Sequence, residues 1–255
     1  MKKVGSAISA FVLVGSLVGS AYAVDNNVSL SESSDNYCHL KFPAIRPRTL
    51  ASAEPQTKSS ASGDVIEKIE GILSGTLGYL FNNFDGSKQF SALVREAYVN
   101  GLTEPDPRDD LSGRDVARKL LILARQTGSQ MELQDIAVEN LVPRSLRTGS
   151  FSPKFFASLE RYDSAMANQF ESARSRGTVI RYVGTLERGC ARAGMKLFPR
   201  IHPIALTKGS DNVIAFTTKR YSRTPLVVQG PGAGADVTAM GVFSDILKLL
   251  HYLPS

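Results

Sequence analysis

Apolar positions become regular at Asp64 and remain so to the end of the chain. The apolar run that ends at Leu73 predicts a buried strand. Ser74-Gly75 follows it directly and predicts the start of a helix that continues through Phe84. This segment is therefore where we expect folded structure to begin.

The rest of the chain gives helix signals first and mainly strand signals later. A second helix is predicted with Ser87 as its cap and Gly101 as its stop. Further helices are predicted over about 114–126 and over about 152–176, the latter with a break near Asp163. Strands are predicted at 179–186, 195–198, 213–218 and 225–229, and a final helix at 238–252.

These elements predict an α+β domain over residues 64–255, in which a mixed sheet carries helices on one face. The loop 103–107 is predicted to be non-helical, because the residue before each of its two prolines is pushed toward extended conformations. We expect the residues before about Asp64 to lack stable packing, because their sequence is rich in Ser and Pro and has no regular period.

Residues 1–23 have the layout of a signal peptide. Lys2 and Lys3 precede an apolar stretch over 7–18, and Ala21-Tyr22-Ala23 forms a small-x-small cleavage site. The stretch is short and interrupted, so a membrane anchor is the less favoured interpretation. Residues 24–63 are interpreted as a linker, either an unstructured leader or the transit part of a two-part plastid address.

Two destinations are compatible with this leader, the secretory route and the plastid. A cytoplasmic location is the alternative if the segment is an artefact at the start of the sequence. No second long apolar run follows the leader, so no membrane partner is expected after its cleavage.

Composition places the chain among ordinary globular proteins. Of its 255 residues 42% are hydrophobic and 21% are charged, which argues against a disordered or fibrous protein. Cys38 and Cys190 are too few for a disulfide framework or a structural zinc site. The net charge of +6 comes without basic runs, which argues against nucleic acid as a partner.

The densest polar cluster runs from Glu104 to Lys119 and holds five acids and four bases. On a helix, Asp115 and Lys119 lie one turn apart on the same face. A carboxylate beside an ammonium group can bind an amino acid and deliver a proton. The alternative is a solvated ion pair with an acidic loop at a helix start, which the charge pattern alone favours. The two rigid prolines of the loop favour a site.

A second feature joins a strand, a glycine turn and a helix start near residue 230. Gly230, Gly232 and Ala235 fit the G-x-G-x-x-A spacing of a dinucleotide-binding turn, but too few residues follow for the rest of that domain. The turn is either a tight connection or a place where the backbone approaches a ligand bound mainly elsewhere.

Two further patterns were considered for chemistry. The Gly-rich stretch 72–81 lacks the lysine of a P-loop and is interpreted as a close-packed helix entry. The three histidines lie in unrelated contexts, so neither a histidine metal site nor a nucleophile-histidine set is expected.

Together, these features resemble homoserine dehydrogenase, most closely the C-terminal end of plant-type bifunctional aspartate kinase/homoserine dehydrogenases. The resemblance covers roughly 64–255 and agrees in order and spacing. It is carried by Glu70-Gly71-Ile72-Leu73-Ser74-Gly75-Thr76-Leu77-Gly78-Tyr79, by Gly101-Leu102-Thr103-Glu104-Pro105-Asp106-Pro107-Arg108-Asp109-Asp110-Leu111-Ser112-Gly113, by Asp115-Val116-Ala117-Arg118-Lys119 and by Gly232-Ala233-Gly234-Ala235-Asp236-Val237-Thr238-Ala239.

The resemblance implies the interconversion of L-aspartate 4-semialdehyde and L-homoserine with NAD or NADP, a step toward threonine and methionine. It implies that Lys119 is the acid/base at the substrate oxygen. It also implies that Glu104 and Asp115 hold the substrate and that Asp110 supports them. No metal ligand is carried over.

The resemblance further implies that Gly101 and Gly234 lie against the cofactor and that the protein forms a homodimer. Members of the family have a complete nucleotide-binding domain before the segment that corresponds to 70–75, and residues 24–69 are too few for one. We therefore expect a complete Rossmann domain to be absent. Two functions stay open: an oxidoreductase domain completed by another chain, and a non-catalytic remnant or partner subunit.

Overall fold

The computed structural model describes residues 64–252. The strands are β1 (Ile66–Ile72), β2 (Ala137–Val138), β3 (Thr178–Glu187), β4 (Cys190–Pro199), β5 (Asp211–Thr218) and β6 (Leu226–Pro231). The α-helices are α1 (Gly75–Asn83), α2 (Phe90–Val99), α3 (Pro107–Leu111), α4 (Arg114–Gln126), α5 (Lys154–Leu159), α6 (Asp163–Ser175), α7 (Pro203–Leu206) and α8 (Ala235–Tyr252). Short 3-10 turns occupy Leu133–Asp135, Arg144–Leu146 and Glu160–Tyr162.

The strands form one sheet in the order β2-β4-β3-β1-β5-β6. The edge strand β2 runs parallel to β4, whereas the other neighbours are antiparallel, so the sheet is mixed as predicted. Strand β6 pairs antiparallel with β5, so the glycine turn that follows it does not belong to a parallel βαβ unit. Residues 64–252 contain no dinucleotide-binding fold.

The two faces of the sheet are covered differently. Ile69 of β1 and Tyr182 of β3 point to the face on which the longer helices α1, α2, α4 and α6 build the main core. Ile72 and Val183 point to the opposite face, where a small cluster is completed by Ile204 of α7. The predicted arrangement of helices on one face is confirmed, with the four-residue α7 as an addition on the other.

Local signals explain why the elements next to the site form where they do. Helix α1 starts at Gly75 as predicted, and the Ser74 side chain caps it by accepting a hydrogen bond from the amide of Leu77. Helix α4 has the predicted bounds, and its buried face carries Val116, Leu120 and Leu123. The break near Asp163 is also confirmed, because a 3-10 turn separates α5 from α6.

Several predicted boundaries were wrong. Ser87 does not cap α2, because its amide and its hydroxyl both donate to the Asp85 carboxylate, and the helix begins at Phe90. Pro107 is the first residue of the short helix α3 rather than part of the loop, since its fixed φ suits a first turn. Helix α5 begins at Lys154, with Pro153 as its N-cap.

Elements in the C-terminal part are longer than predicted, β4 and α8 most of all. Strand β4 starts at Cys190 because it pairs with β3 along the whole length of a hairpin. Helix α8 starts at Ala235 rather than at residue 238. The predicted leader, its cleavage site and the linker up to residue 63 lie outside the described residues.

Candidate active site

The site is built around Lys119, which lies on the second turn of α4. Its ammonium nitrogen lies 2.9 Å from the carbonyl oxygen of Leu73, just after β1, and 2.8 Å from a carboxylate oxygen of Asp115. The Lys119 side chain is 11% exposed and that of Asp115 is 40% exposed. The predicted pair on one helix face is thus confirmed, and it fixes the ammonium group at the end of the central strand.

Asp110 of α3 connects this region to the acidic loop. Its carboxylate accepts a hydrogen bond from the Thr76 hydroxyl at 2.9 Å and one from the backbone amide of Glu104 at 2.8 Å. Burial, together with the negative charges of Glu104 and Asp115, raises the pKa of Asp110 to about 6, although the two hydrogen bonds oppose the shift. Asp110 therefore fixes the backbone of the acidic loop, and the negative charges of Glu104 and Asp115 favour its protonated form.

This raised pKa predicts a specific pH dependence of stability. The folded domain holds the Asp110 proton more tightly than the unfolded chain, whose pKa is near 3.8. The contribution of Asp110 to stability is therefore complete below about pH 4 and declines as the pH rises through about 6. We expect this group to lower the free energy of unfolding by at most about 3 kcal/mol across that range.

Urea unfolding at several pH values between 4 and 7 measures the effect. Asp110→Asn should remove this part of the pH dependence, whereas Asp109→Asn, at the exposed neighbouring position, should retain it. Equal pH dependence in the two variants would contradict the assignment of the titration to Asp110.

Glu104 differs from the other carboxylates in having an exposed side chain. Its backbone amide is held by Asp110, and its carbonyl accepts a hydrogen bond from Thr103. Among the hydrogen bonds and ion pairs found within residues 64–252, none uses the Glu104 carboxylate. The loop thus presents a fixed backbone with an unneutralised carboxylate, which is suited to binding a cationic group.

Gly101 and Gly234 lie at other helix ends. Gly101 has a φ of 67° and ends α2 in a Schellman motif, in which its amide bonds to Tyr98 and the amide of Leu102 bonds to Ala97. Gly234, with a φ of 134°, directly precedes α8. A Cβ at either position would have no atom within 4 Å, so both backbones are open to a ligand.

The structure thus joins Glu104, Asp110, Asp115 and Lys119 through shared contacts and charges, while no such contact joins the two glycines to them. Sequence reasoning missed Thr76, whose hydroxyl reaches both Asp110 and, at 2.7 Å, the carbonyl oxygen of Leu102. Its position in the first turn of a buried helix was the available signal.

The described residues hold neither a metal cluster nor a membrane span. No group of three or more His, Cys, Asp or Glu side chains within 64–252 is arranged to hold a metal ion. In the same range no helix has the length and apolar character needed to cross a membrane. A cavity of about 500 Å³ opens elsewhere, between residues 139–147 and 159–166, and contains none of the candidate site residues.

Comparison with known proteins identifies the family and the fold. The model of the homoserine dehydrogenase family matches residues 54–247. The chain belongs to the homoserine dehydrogenase family. A similar relative is the chloroplastic bifunctional aspartokinase/homoserine dehydrogenase 2 of Zea mays, which is 53% identical over 195 residues, covering 75% of this chain and 21% of that protein.

Solved structures agree with this assignment. A putative homoserine dehydrogenase from Archaeoglobus fulgidus matches with a TM-score of 0.58 and 26% identity over 76% of this chain and 53% of that one. A Candida auris protein of unknown function matches with a TM-score of 0.72 and 41% identity, covering 77% of this chain and 57% of that one. The predicted family and fold are confirmed. The chain spans about a fifth of the maize relative and little more than half of each of the two solved structures.

Proposed function

We propose that residues 64–252 form the substrate-binding catalytic part of a homoserine dehydrogenase, which interconverts L-aspartate 4-semialdehyde and L-homoserine with NAD or NADP. The observation that carries this proposal is the half-buried Lys119 ammonium group, which is held by Asp115 and by the carbonyl of Leu73 beside the Glu104 loop. Membership in the family supports it.

Lys119 is the proton carrier in this proposal. An ammonium group has three N–H donors, and the contacts to Leu73 and Asp115 use two of them. The third is available for the substrate oxygen. In the direction of reduction, Lys119 donates its proton to the aldehyde oxygen as the carbonyl carbon accepts a hydride, and in the direction of oxidation it takes the proton back from the hydroxyl group.

The carboxylates recognise the amino-acid part of the substrate. Both substrates carry an ammonium group, for which the exposed carboxylate of Glu104 and the part-exposed carboxylate of Asp115 are suitable partners. Asp110 holds the amide of Glu104 and so keeps this carboxylate near the lysine. The substrate is thereby oriented with its reacting carbon toward Lys119.

The described residues fit only the edge of a dinucleotide site. Gly101 and Gly234 offer backbone that a cofactor can approach closely, and the antiparallel pair of β5 and β6 supplies no phosphate-binding turn of the Rossmann type. When bound, NAD(P) supplies or accepts the hydride. We therefore propose that the remainder of its binding site lies on protein outside residues 64–252.

The sharpest test of the substrate site is Glu104→Gln. Losing a charge-assisted hydrogen bond costs about 1.5–3 kcal/mol, so homoserine should bind at least about tenfold more weakly to this variant in calorimetry with the full chain. Glu67→Gln, which removes an exposed carboxylate near the start of β1, is the matched control and should leave the affinity unchanged. Equal affinity in both variants would refute the assignment, and absence of binding to the unaltered chain would refute the proposed function.

The assembly and the N-terminal leader concern the whole protein. We propose a homodimer that uses the sheet face opposite the main helices, where Ile201 just before α7 and Leu206 at its end are exposed apolar side chains. We also propose that residues 1–23 act as a cleaved leader and that 24–63 are a linker. The chloroplastic location of the maize relative supports the plastid among the two destinations.

A further inference from the structure

The loop that carries Glu104 is held at a second point by Arg108. The Arg108 side chain is 14% exposed, and its guanidinium group forms a two-point contact with Asp106: Nε lies 2.9 Å from one carboxylate oxygen and Nη2 2.6 Å from the other. This contact holds the pKa of Asp106 below its ordinary value. Arg108 is thus ion-paired within its own turn.

The remaining donors of the same guanidinium group reach a distant segment of the chain. Nη1 lies 3.2 Å from the carbonyl oxygen of Leu146 and 3.4 Å from that of Thr148, and Nη2 lies 3.1 Å from that of Gly149. The guanidinium carbon also lies 5.9 Å from the centre of the Phe151 ring. One side chain therefore joins the acidic loop to the segment 146–151.

Only arginine suits this position. The guanidinium group is planar and has five donors in a fixed arrangement, so it can satisfy a carboxylate and several carbonyls at once. A lysine has a single charged nitrogen on a flexible chain and cannot reproduce the two-point contact together with the carbonyl contacts. The geometry at Arg108 therefore indicates a requirement for more than positive charge.

The position of Asp106 is passed on to Glu104 through a stiff backbone. Asp106 lies between two prolines, whose rings fix φ, and its side chain caps α3 by accepting a hydrogen bond from the Arg108 amide at 3.0 Å. One proline separates Asp106 from Glu104. Anchoring Asp106 therefore restricts where the Glu104 carboxylate lies.

We propose that Arg108 is a positioning residue for substrate binding, which fixes the Glu104 carboxylate by anchoring Asp106 to the segment 146–151. This inference rests on the proposed function of Glu104. Arg108 does not touch the substrate in this proposal, and its effect is transmitted through the loop. Its loss should therefore weaken substrate binding and leave the proton transfer at Lys119 unchanged.

Amide hydrogen exchange of the full chain without any ligand tests the anchoring itself. In Arg108→Lys, the amides of Glu104 and Arg108 should exchange at least about tenfold faster than in the unaltered chain. Arg125→Lys is the matched control, because Arg125 also bonds to a carboxylate, that of Glu132, and to a backbone carbonyl, but at the far end of α4. Unchanged exchange at both amides in Arg108→Lys would overturn the anchoring.

Calorimetry with homoserine then tests whether the anchoring serves Glu104. Arg108→Lys should weaken binding about tenfold, and in a chain that already carries Glu104→Gln it should cause no further loss. Arg125→Lys should leave binding unchanged in both backgrounds. Equal losses with and without the Glu104 carboxylate would show that Arg108 acts by another route and would overturn the proposal.

The two measurements separate this inference from the proposed function. If homoserine does not bind to the unaltered chain, the proposed function fails and with it the substrate role of Arg108, whereas the exchange rates still decide whether Arg108 anchors the loop. Urea unfolding of each variant checks that the fold is retained. In an assembly competent for turnover, Arg108→Lys should raise KM for homoserine and leave kcat within about twofold, a split that general destabilisation of the fold does not produce.

Discussion

Replacing Lys119 by methionine should reduce kcat for homoserine oxidation by about a hundredfold to ten-thousandfold, the range in which a positioned general acid or base contributes. Methionine has a similar length and fits a side-chain position that is 11% exposed, but it carries no proton. The carboxylates of Glu104 and Asp115, which bind the substrate in this proposal, remain in place, so the affinity for homoserine should change by only a few-fold. The measurement is steady-state turnover with NADP and a nucleotide-binding domain of the family supplied to the full chain.

A surface lysine provides the comparison for this result. Lys88 forms an ion pair with Glu96 and is 54% exposed, so Lys88→Met removes the same group from a position without a role in the proposed site. Turnover in that variant should equal that of the unaltered chain. If Lys119→Met retains more than about a tenth of kcat, the proton carrier lies elsewhere. If affinity collapses while kcat survives, Lys119 binds the substrate rather than carrying its proton.

Elements whose signals are local could be predicted from the sequence. Helix α4 has its predicted bounds, because an apolar stripe at helical spacing follows a glycine and ends near a polar turn. The Ser74 cap and the Gly101 stop follow in the same way from residues that act within one turn of themselves. Local hydrogen bonds and a regular period were sufficient in these cases.

Elements that depend on distant partners could not be predicted to the same extent. Strand β4 extends to Cys190 because β3 pairs with it along a long hairpin, which a single strand pattern does not show. Ser87 had the expected type for a cap, but the nearby Asp85 carboxylate binds it in a turn before the helix. The two-residue strand β2 is defined only by its pairing with β4.

The candidate site divides in the same way. The spacing of Asp115 and Lys119 places both on one helix face in any helix, so this pair was visible in the sequence. The link from Thr76 to Asp110 and the contact of Arg108 with the segment 146–151 join parts of the chain that are far apart in sequence. Charge pattern alone favoured a solvated ion pair, and these long-range contacts are what give the candidate site a fixed loop.

Gly113 is the position at which a single methyl group should damage both the fold and the site. It is the N-cap of α4 with a φ of 72°, and a Cβ there would overlap the hydroxyl group of Tyr182. That hydroxyl donates a hydrogen bond to the carbonyl oxygen of Glu139 at 2.7 Å, so it is not free to move. Gly113→Ala therefore forces a shift of α4, the helix that carries Lys119.

The expected loss of stability for Gly113→Ala is about 2–5 kcal/mol, the combination of about 1–2 kcal/mol for a left-handed alanine and about 1–3 kcal/mol for overpacking. Gly128→Ala is the control, because Gly128 also has a positive φ of 89° but no atom within 4 Å of a Cβ. The loss of stability for Gly128→Ala should be limited to the cost of the left-handed backbone conformation. Urea unfolding of both variants separates the two contributions, and equal losses would exclude the overlap with Tyr182 as a cause.

A double variant identifies the atom responsible. Tyr182→Phe removes the hydroxyl oxygen, which is the nearest atom to the added methyl, while the ring carbon that bears it remains 2.9 Å from the Cβ position. Adding Tyr182→Phe to Gly113→Ala should therefore recover part of the lost stability, although Tyr182→Phe alone is destabilising because it leaves the Glu139 carbonyl without this donor. Tyr182→Phe should thus lower stability on its own and raise it when Gly113→Ala is present. This reversal of the sign of its effect arises only if the two positions are in contact. Simple addition of the two losses would show that the two positions do not interact. Backbone strain at Gly113, rather than its close approach to β3, would then set the position of α4 and of Lys119.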